Sequence, residues 1–251
     1  HEAIGIYRKV ANDGPLVHQA QIRLARALAR TDRLDEAITV LRDVARATPP
    51  QPDALIALGH VLRTAERFAE AVDAYDAAIQ RLGPMAPEHW RLVYSRGIAL
   101  ERSKQWERAE AALRQALELR PEDPYVLNYL GYSWVDRGLH LEQAEGMIRR
   151  ATELRPDDGF IADSLGWVYY RTRRFDRAVV ELERAVALEP EDPVINEHLG
   201  DAYWQVGRFS EARFQWQRAL RFKPESERIA ELQSKLACQP PGCAKLLPGG
   251  S

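Results

Sequence analysis

The side chains best suited to chemistry in this sequence are two cysteines, six histidines and 37 carboxylates, and their spacing decides what they can do. Cys238 and Cys243 bracket Gln-Pro-Pro-Gly near the end of the chain. Pro and Gly between them make a small disulfide loop feasible, the expected state in an oxidising compartment, whereas cytosol would favour two free thiols. The pair alone does not make a zinc site, which wants four ligands. His1, His18, His60, His89, His140 and His198 lie without ligand spacing, and no Gly-rich phosphate loop, HExxH, GxSxG or paired CxxC occurs. Acidic residues in Pro121-Glu122-Asp123 and Pro190-Glu191-Asp192 are placed to complement helix N-termini, not to act as paired catalytic acids. These patterns predict no active site, no cofactor and no metal.

With 45% hydrophobic and 29% charged residues, the chain has the apolar material for an ordered core. A formal net charge of −2 argues against nucleic-acid binding driven by bulk electrostatics. No apolar run reaches the roughly 18 residues of a membrane span, and the first residues lack a signal peptide's apolar stretch.

The elements that must position any functional side chain follow from an internal repeat. Gly59, Gly97, Gly131, Gly166 and Gly200 recur as the eighth residue of successive units, with Ala25 in that place in an earlier one. Ala37, Ala71, Ala109, Ala144, Ala178 and Ala212 mark a small site further on, followed four residues later by Leu41, Tyr75, Leu113, Ile148, Leu182 and Trp216. Pro49, Pro121, Pro156, Pro190 and Pro224 close the units. This pattern, with its period of about 34 residues, resembles the tetratricopeptide repeat (TPR). The resemblance implies an all-α fold, a right-handed superhelix of helix hairpins (an α-solenoid).

Six units are expected at 18–51, 52–89, 90–123, 124–158, 159–192 and 193–226. Residues 1–17 read as helix B of a truncated repeat, with Ala3 as its small site and Tyr7 as its bulky one. Residues 82–87 lengthen the second unit's closing turn, and Gly138-Leu139-His140-Leu141 adds one residue inside the fourth. Ile229, Leu232 and Leu236 form an i, i+3, i+7 stripe suited to a native C-terminal capping helix at 227–237, and 238–251 reads as a flexible tail.

In a TPR array the first helix of each hairpin lines a concave groove, with positions 2, 5, 9, 12 and 13 on one side of it. Trp90, Trp106, Trp134 and Trp216 fall instead at packing positions. Groove positions hold Tyr94, Tyr125, Tyr132, Phe160, Trp167, Tyr170 and Trp204, either as packing between adjacent helices or as an apolar trough for a partner. Asn128, Asp163, Glu197 and Asp201 occupy neighbouring sites suited to a peptide backbone or basic side chains, and Arg171 joins them. Arg26, Arg30, Arg63, Arg91 and Arg102 make the earlier part of the groove basic, a polarity that can orient a partner. The Lys and Asn set of a carboxylate clamp for chaperone C-termini is missing at positions 5 and 9.

NYLGYSWVDRG at 128–138, DSLGWVYYR at 163–171 and HLGDAYWQVGRFSEARFQWQRAL at 198–220 resemble the C-terminal repeats of Gram-negative TPR lipoproteins. That resemblance implies a periplasmic adaptor, tethered to the outer membrane, which binds a carboxyl-terminal processing protease and presents cell-wall hydrolases to it. A cytoplasmic setting stays open, as do two other roles: the non-catalytic arm of a larger enzyme such as a glycosyltransferase, and a self-associating structural module. The leading expectation is a protein or peptide partner held in the concave groove.

Overall fold

The computed structural model describes residues 17–46 and 52–237, together with Ile4, Gly5 and Tyr7. All elements among them are helical: α1 Val17–Ala29, α2 Leu34–Ala45, α3 Pro52–Thr64, α4 Phe68–Leu82, α5 Trp90–Arg102, α6 Trp106–Leu119, α7 Pro124–Asp136, α8 Leu141–Leu154, α9 Gly159–Arg171, α10 Phe175–Leu188, α11 Pro193–Gln205, α12 Phe209–Arg221 and α13 Ser226–Ala237. A 3₁₀ turn, Pro87–His89, leads into α5. The fold is therefore all-α and built of successive helix hairpins. The chain divides after Pro121 into two compact units, one holding α1 to α6 and the other α7 to α13.

Within each hairpin the small and bulky positions interlock. Ala37, Ala71, Ala109, Ala144, Ala178 and Ala212 are fully buried, and so are Leu41, Tyr75, Leu113, Ile148 and Leu182, with Trp216 nearly so. The recurring glycine is where the two helices of a hairpin come closest. A methyl group on Gly166 would lie 2.5 Å from Leu182 Cγ and 3.3 Å from the Leu182 backbone nitrogen. Gly166→Ala is expected to lower stability by roughly 1–3 kcal/mol, the cost of overpacking, read as an earlier midpoint in urea denaturation.

Position 15 of every unit turns the chain between its two helices in the left-handed region: Asp32, Glu66, Lys104, Gly138, Arg173 and Gly207 have φ between 56° and 80°. The turn closes with a backbone hydrogen bond back to the first helix, as from Arg174 N–H to Tyr169 O at 2.8 Å. The extra residue in the fourth unit is absorbed by a second left-handed residue, His140 at φ 45°, immediately before α8.

Helices α7, α9 and α11 begin at Asp123, Asp158 and Asp192, whose carboxylates accept from the backbone N–H groups two and three residues on. Each satisfies donors that a helix start otherwise leaves orphaned. The acidic residues read as helix complements thus act as direct caps.

Two packing expectations change. Trp134 and Trp216 are buried, but Trp90 and Trp106 are only half-buried. In α13 Leu232 is fully buried while Ile229 is exposed, and the residue that turns inward beside Leu232 is Lys235. Leu236 is half-buried, so two of the three stripe residues face inward, and the carboxylates on α11 that receive Lys235 help to seat the helix.

Ala3, Pro49, the tail 238–251 and the Cys238–Cys243 pair lie outside the described residues.

Candidate functional site

In the unit formed by α7 to α13, consecutive first helices bring positions 5 and 9 into two rows. Asn128, Asp163 and Glu197 form one row and Tyr132, Trp167 and Asp201 the other. Moving Val194, Glu197 and Asp201 forward by one repeat of 34 residues gives Arg228, Glu231 and Lys235, so α13 continues both rows as an additional first helix. Those three side chains complete the site, and the same 34-residue count could have found them.

Lys235 is 3% exposed and donates to Glu197 Oε1 at 2.7 Å and Asp201 Oδ2 at 2.9 Å. Arg228 donates to Glu197 Oε2 at 2.5 Å, and Trp216 Nε1 donates to Asp201 Oδ1 at 2.9 Å. Burial opposes ionisation of Glu197, yet Lys235 and Arg228 outweigh it and hold its carboxyl below the usual range. For Asp201 burial wins and its carboxyl is raised despite Lys235. Burial also disfavours the charge on Lys235, but Asp201 and Glu197 carry its ammonium above the ordinary lysine value.

Beside this cluster, Asp163 faces His198 Nδ1 with its two oxygens at 2.9 and 3.0 Å. A carboxylate oxygen accepts, so the histidine tautomer that makes this hydrogen bond is the one carrying its proton on Nδ1. The His198 ring stacks on Trp167 at 4.0 Å between centroids, and Trp167 stacks on Tyr170 at 4.7 Å. The Trp167 indole N–H is buried and has no hydrogen-bond partner, and the same holds for the Asn128 side-chain oxygen.

These groups border a cleft of about 590 Å³. Trp167 and His198 line it together with Glu197, Asp201, Arg228, Glu231 and Lys235; Asp136, Arg137, Gly138 and Arg171 complete the wall. Arg171 donates to the Asp136 carbonyl at 2.9 Å. The cleft is polar and mixed in charge, not the continuous aromatic trough envisaged from the groove positions.

The remaining groove residues disperse. Tyr170 and Trp204 are buried; Trp204 packs edge-on to Phe209 and against Trp216, inside the last hairpin. Tyr132 is half-buried and its phenol is raised chiefly by burial. Tyr125 is exposed beneath the Arg155 guanidinium. Phe160, 54% exposed, borders a separate depression with Arg155, Asp157, Asp158 and Glu189.

The unit formed by α1 to α6 carries its own polar grouping. Arg26 and Arg30 are exposed, Arg63 and Tyr94 half-buried, and Tyr94 tilts against Trp90. Arg91 lies over the Trp90 ring and Arg102 over Phe68. His60 Nδ1 is 2.8 Å from the Tyr75 hydroxyl. Burial, then the charges of Arg63 and Arg26, lowers the His60 imidazole to about 4, and burial pushes the Tyr75 phenol up to about 12. Between about pH 4 and the ordinary histidine value of 6.5, the folded chain binds fewer protons at His60 than the unfolded one. Stability is therefore full above about pH 6.5 and falls by up to about 3 kcal/mol as pH drops toward 4. His60→Asn is expected to flatten that segment of the curve, measured by urea denaturation at pH 7 and pH 4.5.

A family model for the tetratricopeptide repeat matches residues 56–124, 94–159 and 164–227, and a second model of the same repeat matches 18–61. The chain belongs to the tetratricopeptide repeat family. Among solved structures this TPR chain is similar to the APC/C hetero-tetramer Cut9-Hcn1, with a TM-score of 0.78 and 16% identity over 94% of this chain and 45% of that one. It therefore spans less than half of that relative. It is also similar to PilF of Pseudomonas aeruginosa, with TM-score 0.67 and 20% identity over 87% of this chain and 97% of that one. YrrB, described as a TPR protein with an unusual peptide-binding site, aligns with TM-score 0.56 and 22% identity over 73% and 92% of the two chains. At these identities the likeness is one of fold. No curated protein sequence matches the chain.

Among the described residues no group of three or more His, Cys, Asp or Glu is placed to hold a metal ion, and no helix is long and apolar enough to cross a membrane.

Proposed function

We propose that this TPR array is an adaptor that holds an extended segment of a partner protein in the cleft of its 122–237 unit. The observation that carries the reading is the cleft itself. Its volume falls within the range of binding clefts, and its base is a rigid stack of His198 and Trp167 held from behind by Tyr170. A floor whose rings are already fixed loses little entropy when a ligand settles on it. Arg137, Arg171 and Glu231, all lining the cleft, offer charges of both signs to a polar segment.

The more specific reading is a periplasmic adaptor, tethered to the outer membrane, that delivers cell-wall hydrolases to a carboxyl-terminal processing protease. It is supported by where the resemblance to such adaptors falls. Asp136, Arg137 and Gly138, then Trp167 and Arg171, then His198 and Asp201 come from its three stretches, and all seven line the cleft.

The test is affinity capture on the full-length protein, followed by a binding titration with the purified partner, comparing wild type with Arg137→Glu/Arg171→Glu. Both arginines sit on the cleft wall, so the variant should keep its helical signal and lose at least about tenfold in affinity. Undiminished binding by a folded variant would sink the cleft as the site, and capture of no processing protease would sink the specific reading.

A further inference from the structure

A second site lies in the other unit, on helices α1 and α3. Helix α1 contains no carboxylate, and α3 has only Asp53, in its first turn. At groove positions 9 and 13 of the first repeat stand Arg26 and Arg30, one helical turn apart; at positions 9 and 12 of the second stand His60 and Arg63. Arg26, from α1, and Arg63, from α3, both bring positive charge to bear on the His60 imidazole.

Most arginines elsewhere in the chain are held by carboxylates of the chain itself. Arg33 pairs with Glu36, Arg67 with Glu70, Arg96 and Arg108 with Asp76, and Arg171 and Arg228 in the other unit's cleft with Asp136 and Glu197. No such pair holds Arg26, Arg30 or Arg63 among the described residues, and Arg63 Nε is buried without an acceptor. Cations gathered on one surface repel one another, and burying an unsatisfied donor has a cost; an anion supplied from outside relieves both.

We infer that the concave surface around Arg26, Arg30 and Arg63 is a docking site for an acidic segment of a partner protein, one carrying two or more aspartate or glutamate side chains. Planar guanidiniums suit bidentate contact with carboxylates, and turning Arg63 onto one breaks no ion pair within the chain. The half-buried His60 lies at this surface, fixed from below by its hydrogen bond with the buried Tyr75. The inference rests on the reading of the protein as a scaffold but concerns a different unit, so the two fail separately.

The experiment is a fluorescence-anisotropy titration of the full chain with an end-blocked, labelled octaglutamate at 50 mM and 200 mM salt. Octalysine and an oligothymidylate of equal charge serve as comparisons. The expected result is saturable octaglutamate binding that weakens by roughly tenfold at the higher salt, with no octalysine binding at this surface. Arg26→Glu/Arg30→Glu changes two exposed residues and should weaken octaglutamate binding at least tenfold. Arg26→Gln/Arg30→Gln serves if that variant misfolds, while Arg221→Glu, an exposed residue of the other unit outside its cleft, should leave binding unchanged. Absence of binding at 50 mM salt, or equal binding by the Arg26/Arg30 variants, would overturn the site. Tighter binding of the oligothymidylate would overturn the assignment to a protein segment.

Discussion

Lys235→Met is expected to destabilise the docking of α13 by roughly 3–5 kcal/mol, because it removes the cation that two buried carboxylates share. Glu197 retains Arg228, whose partial exposure weakens its contribution, while Asp201 retains only the Trp216 indole among its donors. Methionine matches the lysine stem in length, so lost packing explains little of the effect. Since a repeat array unfolds by neighbouring units, the loss should show as an early transition in guanidinium denaturation, of an amplitude appropriate to one helix, ahead of the main unfolding. Adding Glu197→Gln and Asp201→Asn to the same chain should return most of the stability. A single transition at the wild-type midpoint for Lys235→Met would mean that the cluster contributes nothing.

Trp216→Ala should cost a similar amount, roughly 3–5 kcal/mol, by a different route. The Trp216 ring fills the interior of the last hairpin, so close to Gly200 that a methyl there would lie 2.5 Å from it. Trp216→Phe separates the two roles of the indole: most of the packing remains, and the expected loss of about 1–3 kcal/mol reports the hydrogen bond to Asp201. Because Lys235 and Trp216 share Asp201, their effects should not add; a double-mutant cycle in urea gives the coupling directly.

The hairpin frame was legible in the chain because the small residue at position 8 leaves room for one bulky side chain of the second helix, four residues after its buried alanine, as Gly166 does for Leu182 and Gly200 for Trp216. Helix starts were legible too, since aspartate beside proline has few other uses at a helix end. The left-handed turns at position 15 were not, because Asp32, Glu66, Lys104 and Arg173 do not advertise positive φ as glycine does. Which groove residues stay open was also beyond a repeat count. Trp167, Tyr170 and Trp204 occupy positions that face the groove in a single hairpin, and the rings stacked around them cover them once the helices assemble. The repeat count places Lys235 in the groove row but not its burial: a lysine in an amphipathic helix ordinarily marks the wet side, and the carboxylates 34 and 38 residues earlier draw it inward.

The spacing of Arg228 and Lys235, seven residues apart on one face of α13, makes that helix a portable end-piece. Two acidic side chains at positions 5 and 9 of a final hairpin are the socket it recognises, and a charge pattern is easier to transplant than a shaped apolar surface. Arrays shortened or lengthened by whole hairpins can then be closed with the same twelve-residue helix, provided that the last hairpin carries that acidic pair and a tryptophan donor behind it.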